Sequence, residues 1–155
     1  MNALNLPTYS FKIKSENDLM YVYDQFRRKY VRLTPEEWVR QNFAMYLVNE
    51  KMYPASRMTM EKSLRINKLS KRCDILVYND SGEPLLMVEC KSPDIKIGQN
   101  TFEQVSVYNI KFRVRYLIIT NGMMHYCCDV DFDNKSVRFL KEIPLYDSIR
   151  FSDPH

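Results

Sequence analysis

Apolar and polar positions divide the chain into short strands and two amphipathic helices. Residues 9–14, YSFKIK, alternate apolar and polar, and residues 19–23 form a second β-rich run after the turn-prone Ser15, Glu16, Asn17 and Asp18. A small N-terminal hairpin is expected there. Thr34-Pro35-Glu36-Glu37 combines a Thr N-cap, a proline at the first helical position and a Glu three residues after the cap, which predicts a helix from Pro35 to about residue 51. Val39, Phe43, Tyr46 and Leu47 recur on it at helical spacing and form a core-facing stripe. Residues 72–78 and 85–91 are rich in Ile, Leu, Val and Tyr, and Asn79, Asp80, Ser81, Gly82 and Pro84 separate them, so they read as a β-hairpin. Thr101-Phe102-Glu103-Gln104 is a second capping box, opening a helix to about residue 112 with Val105, Tyr108 and Phe112 as its buried stripe. Residues 114–120 read as a buried strand, Asn121-Gly122 as a tight turn, residues 123–130 as the returning strand and residues 136–140 as a short last strand, with an irregular tail from Pro144.

The order of hairpin, helix, three-stranded meander, helix and hairpin gives an α/β (α+β) domain with a mixed β-sheet flanked by helices. The segment between Lys91 and Val114 is long enough to cross over to a parallel strand, right-handed by rule. At 155 residues the chain is one domain, with its core over about 30–142 and a tail over about 143–155.

Register on the central hairpin places Asp74 opposite Glu89 if the turn centres between Ser81 and Gly82. Directly paired residues share a face and alternate residues of a strand point the same way, so Asp74, Glu89 and Lys91 converge on one patch of apolar sheet. Two carboxylates about 5 Å apart at an effective dielectric near 20 repel by roughly 3 kcal/mol, so the patch calls for a cation. Lys91 supplies one charge; a divalent ion would supply two, and carboxylates suit Mg²⁺ or Mn²⁺. The structural alternative is a salt bridge on a solvated face. Asp/Glu-x-Lys also occurs at Asp94-Ile95-Lys96 and Asp133-Asn134-Lys135, but only Glu89-Cys90-Lys91 ends an apolar strand faced by an upstream Asp.

Composition removes competing chemistries. Three glycines cannot build a phosphate-cradling loop or a dinucleotide fingerprint, so ATP hydrolysis is not expected of this chain. His125 and His155 are the only histidines. Cys73, Cys90, Cys127 and Cys128 form no C-x-x-C pair and read as buried free thiols of a reducing compartment. The N-terminal residues lack a basic region followed by an apolar core, and no apolar run reaches spanning length, so a cytoplasmic protein with no membrane partner is expected. The net charge of +4 decides nothing, and nucleic-acid binding would have to come from local patches. One such patch is Lys62, Arg65, Lys68, Lys71 and Arg72, a run without an acidic residue that leads into Asp74. Such a run is either a solvated loop or a set of phosphate contacts. Arg27, Arg28, Lys29 and Arg32 read first as a solvated element end. On the first helix, Glu37 closes the capping box and Glu36 pairs with Arg40 four residues on.

At this point the residues resemble the PD-(D/E)xK nuclease superfamily, whose core carries an Asp on one strand and (D/E)-x-Lys on the next. LTPEEWVRQ, RCDILVY, PLLMVECKSPD, QVSVYN and TNG in this order look like the N-terminal nuclease domain of type I restriction enzyme R subunits, over about residues 30–130. The resemblance implies a restriction-endonuclease-like core and Mg²⁺-dependent (or Mn²⁺-dependent) hydrolysis of DNA. In it Asp74, Glu89 and the backbone carbonyl of Cys90 would hold the metal, with Glu37 a further ligand. Lys91 would activate water and neutralise the phosphate, and Gln104 and Tyr108 would match a Q-x-x-x-Y element beside the site. It also implies motor or specificity subunits as partners, since a DNA-translocating ATPase follows this domain in the restriction subunits. No interface signature bears on a homodimer. The alternative of another class is a DNA- or partner-binding module that is silent alone.

Overall fold

The computed structural model describes residues 1–151, apart from the side chain of Tyr108. Strands β1 (Ile13–Glu16), β2 (Leu19–Asp24) and β3 (Lys29–Arg32) form an antiparallel sheet in that order. Asn17 and Asp18, at φ 52° and 64°, make the β1–β2 turn, a conformation that Asn and Asp tolerate and that matches strand twist. The expected hairpin is thus a three-stranded sheet, and its first strand begins at Ile13 rather than at residue 9.

Helix α1 (Pro35–Asn49) starts where the capping signal places it, with the Glu37 N–H donating to Thr34 Oγ1 at 3.1 Å. Val39, Phe43, Ala44 and Leu47 are buried on it, and Tyr46 only partly. There follow β4 (Met58–Ile66), β5 (Leu69–Tyr78), β6 (Pro84–Cys90), α2 (Gln99–Ile110), β7 (Tyr116–Thr120), β8 (His125–Asp131), β9 (Ser136–Leu140) and a short α3 (Tyr146–Ile149). Strands β4 to β9 build one six-stranded sheet in sequence order. Only β6 and β7 are parallel, joined through α2, so the fold is the expected α/β (α+β) mixed sheet flanked by helices.

Strand alternation makes two cores. Leu86, Val88 and Ile118 pack toward α1, while Met87, Leu117 and Ile119 pack with Phe102 of α2. Both faces of β6 and β7 are covered, which is why their sequences are continuously apolar. All four cysteines are buried and free. Three expectations change. The basic run from Lys62 to Arg72 is not a loop but most of the β4–β5 hairpin. Helix α2 begins at Gln99, before the Thr101 capping box, and buries Phe102, Ser106 and Asn109, with Val105 only partly covered. The tail carries α3, whose buried Tyr146 donates its hydroxyl to the Tyr78 carbonyl at 2.9 Å; the last part of the tail, with His155, lies outside the described residues.

Gly122 turns β7 into β8 at φ 84°, and a Cβ there would stand 2.8 Å from Leu4 Cδ2. Gly82 has φ 81° but open space around it. Gly122→Ala is therefore expected to lose about 1–3 kcal/mol in urea unfolding and Gly82→Ala about 1 kcal/mol. Equal losses would show that packing of the N-terminal segment on this turn contributes nothing.

Candidate active site

The β5–β6 hairpin has the register expected from its sequence: Ile75 pairs with Val88, Leu76 with Met87 and Val77 with Leu86. Toward the turn a bulge shifts the pairing to Tyr78↔Pro84, and on the other side backbone pairing stops at Ile75↔Val88. At the next position Asp74 Oδ2 accepts the Cys90 N–H at 2.7 Å, so a carboxylate stands where a strand carbonyl would continue the ladder. The neighbouring β4–β5 ladder skips the same place, passing from Met60↔Ile75 to Lys62↔Cys73, with Glu61 at φ 53°. Cys73 packs in the core on the α2 side and Ile75 in the one on the α1 side, so side-chain alternation also breaks at Asp74.

Asp74 is held from the other side by α1. Arg40 Nη2 donates to Asp74 Oδ1 at 2.8 Å, and Arg40 Nη1 donates to Glu37 Oε1 at 2.9 Å and Glu61 Oε1 at 3.1 Å. Arg27, just after β2, reaches Glu37 Oε1 at 2.8 Å and Glu61 Oε2 at 2.9 Å and also pairs with Asp24. Arg72 adds a contact to Glu61 Oε2 at 2.6 Å. The side chains of Arg40 and Glu37 are only 6% and 8% exposed, so these charges depend on one another. Glu36 reaches Arg40 at 3.7 Å, as the helical spacing predicts. Glu37 does more than close the capping box: Arg27 and Arg40 share one of its oxygens and Gln41 donates to the other at 3.1 Å. Arg40 and Glu61 are the residues that sequence reasoning missed as parts of this site. The available signal was an arginine beside the apolar stripe of α1, and a Glu that interrupts the pattern of β4.

Glu89, buried near the end of β6, pairs with Lys71 through Oε1, and Asn109 Nδ2 of α2 stands 3.5 Å from the same oxygen. Asn109 of α2 reaches Glu89; Gln104 is exposed, and the Tyr108 side chain lies outside the described residues. Lys91 follows β6, with its N–H fixed to the Thr120 carbonyl at 2.8 Å. Among the described residues no three His, Cys, Asp or Glu side chains converge as a metal-binding group. The expected convergence of Asp74 and Glu89 on one face is not seen: the break in alternation turns Asp74 toward Arg40 of α1, while Glu89 faces Asn109 of α2. Each carboxylate expected at the metal is engaged by a cation, Asp74 by Arg40, Glu89 by Lys71, and Glu37 by Arg27 and Arg40.

Of the basic run, Lys62, Arg65, Lys68 and Arg72 are exposed, but pairing of Lys62 with Cys73 and of Ser63 with Arg72 divides them between the two faces of the β4–β5 hairpin. Lys71 lies on the Glu89 side. His125 is structural, with Nδ1 against Thr120 Oγ1 at 2.7 Å and Nε2 against the Asn5 carbonyl at 3.0 Å; burial lowers its pKa.

Protonation follows from these contacts. Burial would raise the Glu61 pKa, but Arg40, Arg27 and Arg72 outweigh it and hold the carboxyl below its ordinary value. Burial, and then Asp74, push the Cys90 thiol well up, and burial pushes the Cys73 thiol to about 12. Neither sulfur is a thiolate at neutral pH, which leaves backbone and carboxylate oxygens as the donors here.

The fold and site define a class of protein: a mixed α/β sheet whose central antiparallel hairpin presents an Asp, a Glu and a Lys at its open end. Residues 35–144 match the family model described as Type I restriction enzyme R protein N terminus (HSDR_N), and the chain belongs to that family. Strands β1 to β3 precede the matched residues. Among solved structures the chain is similar to the fragment structure of a protein described as an HsdR subunit of a type I restriction enzyme from Vibrio vulnificus YJ016, with TM-score 0.53 and 19% identity over 76% of this chain. The chain spans 24% of that fragment's length, and what the two share is the fold. No curated protein matches the chain. Among the described residues no helix is long and apolar enough to cross a membrane.

Arg40→Met removes the cation shared by four acids and is expected to destabilise the fold by about 3–5 kcal/mol in denaturant titration. Adding Asp74→Asn should recover part of that loss, and strictly additive changes would mean that the pair is not coupled. Glu61 titrates below its unfolded value, so its stabilisation is complete above that value and disappears as pH falls through the folded pKa. The urea midpoint of wild type should therefore exceed that of Glu61→Gln at pH 7, and the gap should close as pH falls below the ordinary carboxylate range; a constant gap would refute the linkage.

Proposed function

We propose that this chain is a metal-dependent endonuclease domain of the PD-(D/E)xK type, hydrolysing DNA phosphodiesters in a restriction system. The observation that carries the reading is the open end of the β5–β6 hairpin, where Asp74 grips the Cys90 N–H and Glu89 and Lys91 flank the same residue. Family membership supports a restriction role, with motor or specificity subunits as companions.

The donor set fits Mg²⁺ or Mn²⁺. Asp74, Glu89 and the Cys90 carbonyl offer hard oxygens and no thiolate. Asn109 Oδ1 is buried beside Glu89 with no hydrogen-bond partner among the described residues, a further oxygen facing this region. Asp74, Glu89 and the Cys90 carbonyl would hold the ion, which when bound would supply charge neutralisation at the phosphate and a more acidic water. Lys91, fixed through its backbone to β7, supplies positive charge where the scissile phosphate becomes more negative. Arg40 fixes the Asp74 rotamer, and Glu37, with its own oxygens engaged, orients Arg40. Gln104 and Tyr108, on α2, would act from the helix that brings Asn109 to Glu89. The exposed Lys62, Arg65, Lys68 and Arg72 lie along a hairpin long enough to follow a DNA backbone, while Lys71 serves the site itself.

One observation favours a second reading, a DNA- or partner-binding module that is silent alone. Arg40 and Lys71 sit directly on the two carboxylates, so an entering divalent ion meets two cations that must move. The test is a cleavage assay on linear, circular and single-stranded DNA with Mg²⁺ or Mn²⁺. The wild-type chain is expected to cut, and Glu89→Gln and Lys91→Ala to lose at least about 100-fold in rate. Variants that cut as well as wild type would overturn the assignment; cutting that appears only with a translocating ATPase added would support the second reading.

A further inference from the structure

The sheet β1–β3 lies before the residues that match the family and meets the Asp74 network through Arg27. Its two faces differ. Val22 and Asp24 are buried on the inner face. The outer face follows from the register: Lys14 pairs with Tyr21 and Tyr21 with Arg32, while Tyr23 pairs with Tyr30. Lys12 joins this face, its ammonium 5.9 Å from the Tyr23 ring centroid, and Lys14 lies 4.4 Å from that of Tyr30. Lys12, Lys14, Tyr30 and Arg32 are exposed, Tyr21 and Tyr23 partly so. Tyr23 and Tyr30 stand edge to face at 5.3 Å, and a concavity of about 500 Å³ opens beside Tyr23 and Lys12. Three adjoining tyrosines flanked by three cations thus share one sheet face.

We propose that this face is a platform for single-stranded nucleic acid, DNA in the context of the proposed activity. The chemistry selects this ligand over the other polyanions. Phosphates satisfy the cations, but only a strand with unpaired bases also offers flat π surfaces to the tyrosines. A duplex keeps its bases stacked and reaches such a face through its backbone alone. Residues 9–32 contain six basic residues, Lys12, Lys14, Arg27, Arg28, Lys29 and Arg32, against three acidic ones, Glu16, Asp18 and Asp24. Of these acids Asp24 is buried and paired with Arg27, and Glu16 meets Lys14 at 3.4 Å near the far end of the sheet. The lysines rest on the rings through weak exposed cation–π contacts, which an incoming base displaces while the ammonium moves to the phosphate. Arg27 ties the inner side of this sheet to Glu37 and Glu61, so a strand held here lies on the element next to the Asp74 network.

The proposal rests on nucleic acid being the ligand of the chain but not on hydrolysis, and its test separates the two. Anisotropy of a labelled 20-residue oligo(dT) is measured with the full chain in EDTA, against a duplex of equal length and a poly-glutamate competitor. Wild type and Glu89→Gln are expected to bind oligo(dT) alike and more tightly than duplex. Tyr30→Ala, on the edge strand, should weaken binding about tenfold with an unchanged melting curve. Lys12→Gln/Lys14→Gln/Arg32→Gln should also lower the slope of log K against log salt by about 2. Unchanged affinity in both sheet variants, tighter binding of duplex, or equal displacement by poly-glutamate overturns the platform even if DNA is cut. Loss of binding in the sheet variants supports it even if no DNA is cut.

Discussion

The Asp74 carboxylate stands between two strands that no longer pair. One oxygen takes a backbone N–H of β6 and the other takes the guanidinium of a residue on α1, so a single side chain closes a gap in the sheet and fixes a helix over it. A half-buried carboxylate in this place is held by both donors, and the buried Arg40 is tolerable in turn because Glu37 and Glu61 share its charge. Glu61 draws in Arg27 and Arg72, which brings the N-terminal sheet and the β4–β5 hairpin into the same set of charges. Four separate elements are therefore positioned by one electrostatic network centred on the hairpin's open end. Apolar burial on both sides of β6 and β7 supplies most of the driving force for the fold, and the network decides where α1 sits on it.

Much of this was legible before any coordinates. The Thr34 cap, most of the stripe on α1, the turn at Asn121-Gly122 and the hairpin register from Ile75 to Val77 depend on short-range rules and are found where those rules place them, while a bulge at Tyr78 shifts the register near the turn. Register arithmetic also put Asp74 and Glu89 at adjacent positions on neighbouring strands. It could not show that the ladder stops between them, because a side chain replacing a backbone acceptor leaves no periodic trace. Arg40 was hidden for a similar reason: on a helix its spacing from Glu36 explains it locally, and its partners on β4 and β5 are remote in sequence. The strand β4 was missed because in its outer half only Leu64 and Ile66 are apolar, among Glu61, Lys62, Ser63 and Arg65, so charge density masked its pattern. In α2 the buried positions beside Phe102 are Ser106 and Asn109, polar residues that a hydrophobic stripe search assigns to solvent.

Function divides along the same line. Membership of the restriction R-subunit family rests on residues 35–144 and on the shared fold. The chemistry rests on three side chains at the end of one hairpin, two of them held by cations that a metal-loaded site would have to accommodate. Arg40 and Lys71 could serve as placeholders that keep like charges from repelling until a divalent ion and a phosphate arrive together, since the substrate brings the negative charge those cations then need. On the proposed reading such an arrangement would tie metal uptake to substrate and let acidic and basic groups coexist at one site.

The most direct test of this account is calorimetric titration of Mn²⁺ into the purified chain, with and without a short non-cleavable DNA analogue, for wild type and Asp74→Asn. The account predicts saturable binding of Mn²⁺ by wild type that tightens when the DNA analogue is present and is lost in Asp74→Asn. Wild type that takes up no Mn²⁺ with the analogue bound, or Asp74→Asn that binds it equally well, would contradict the claim that this hairpin is a metal-dependent nuclease site.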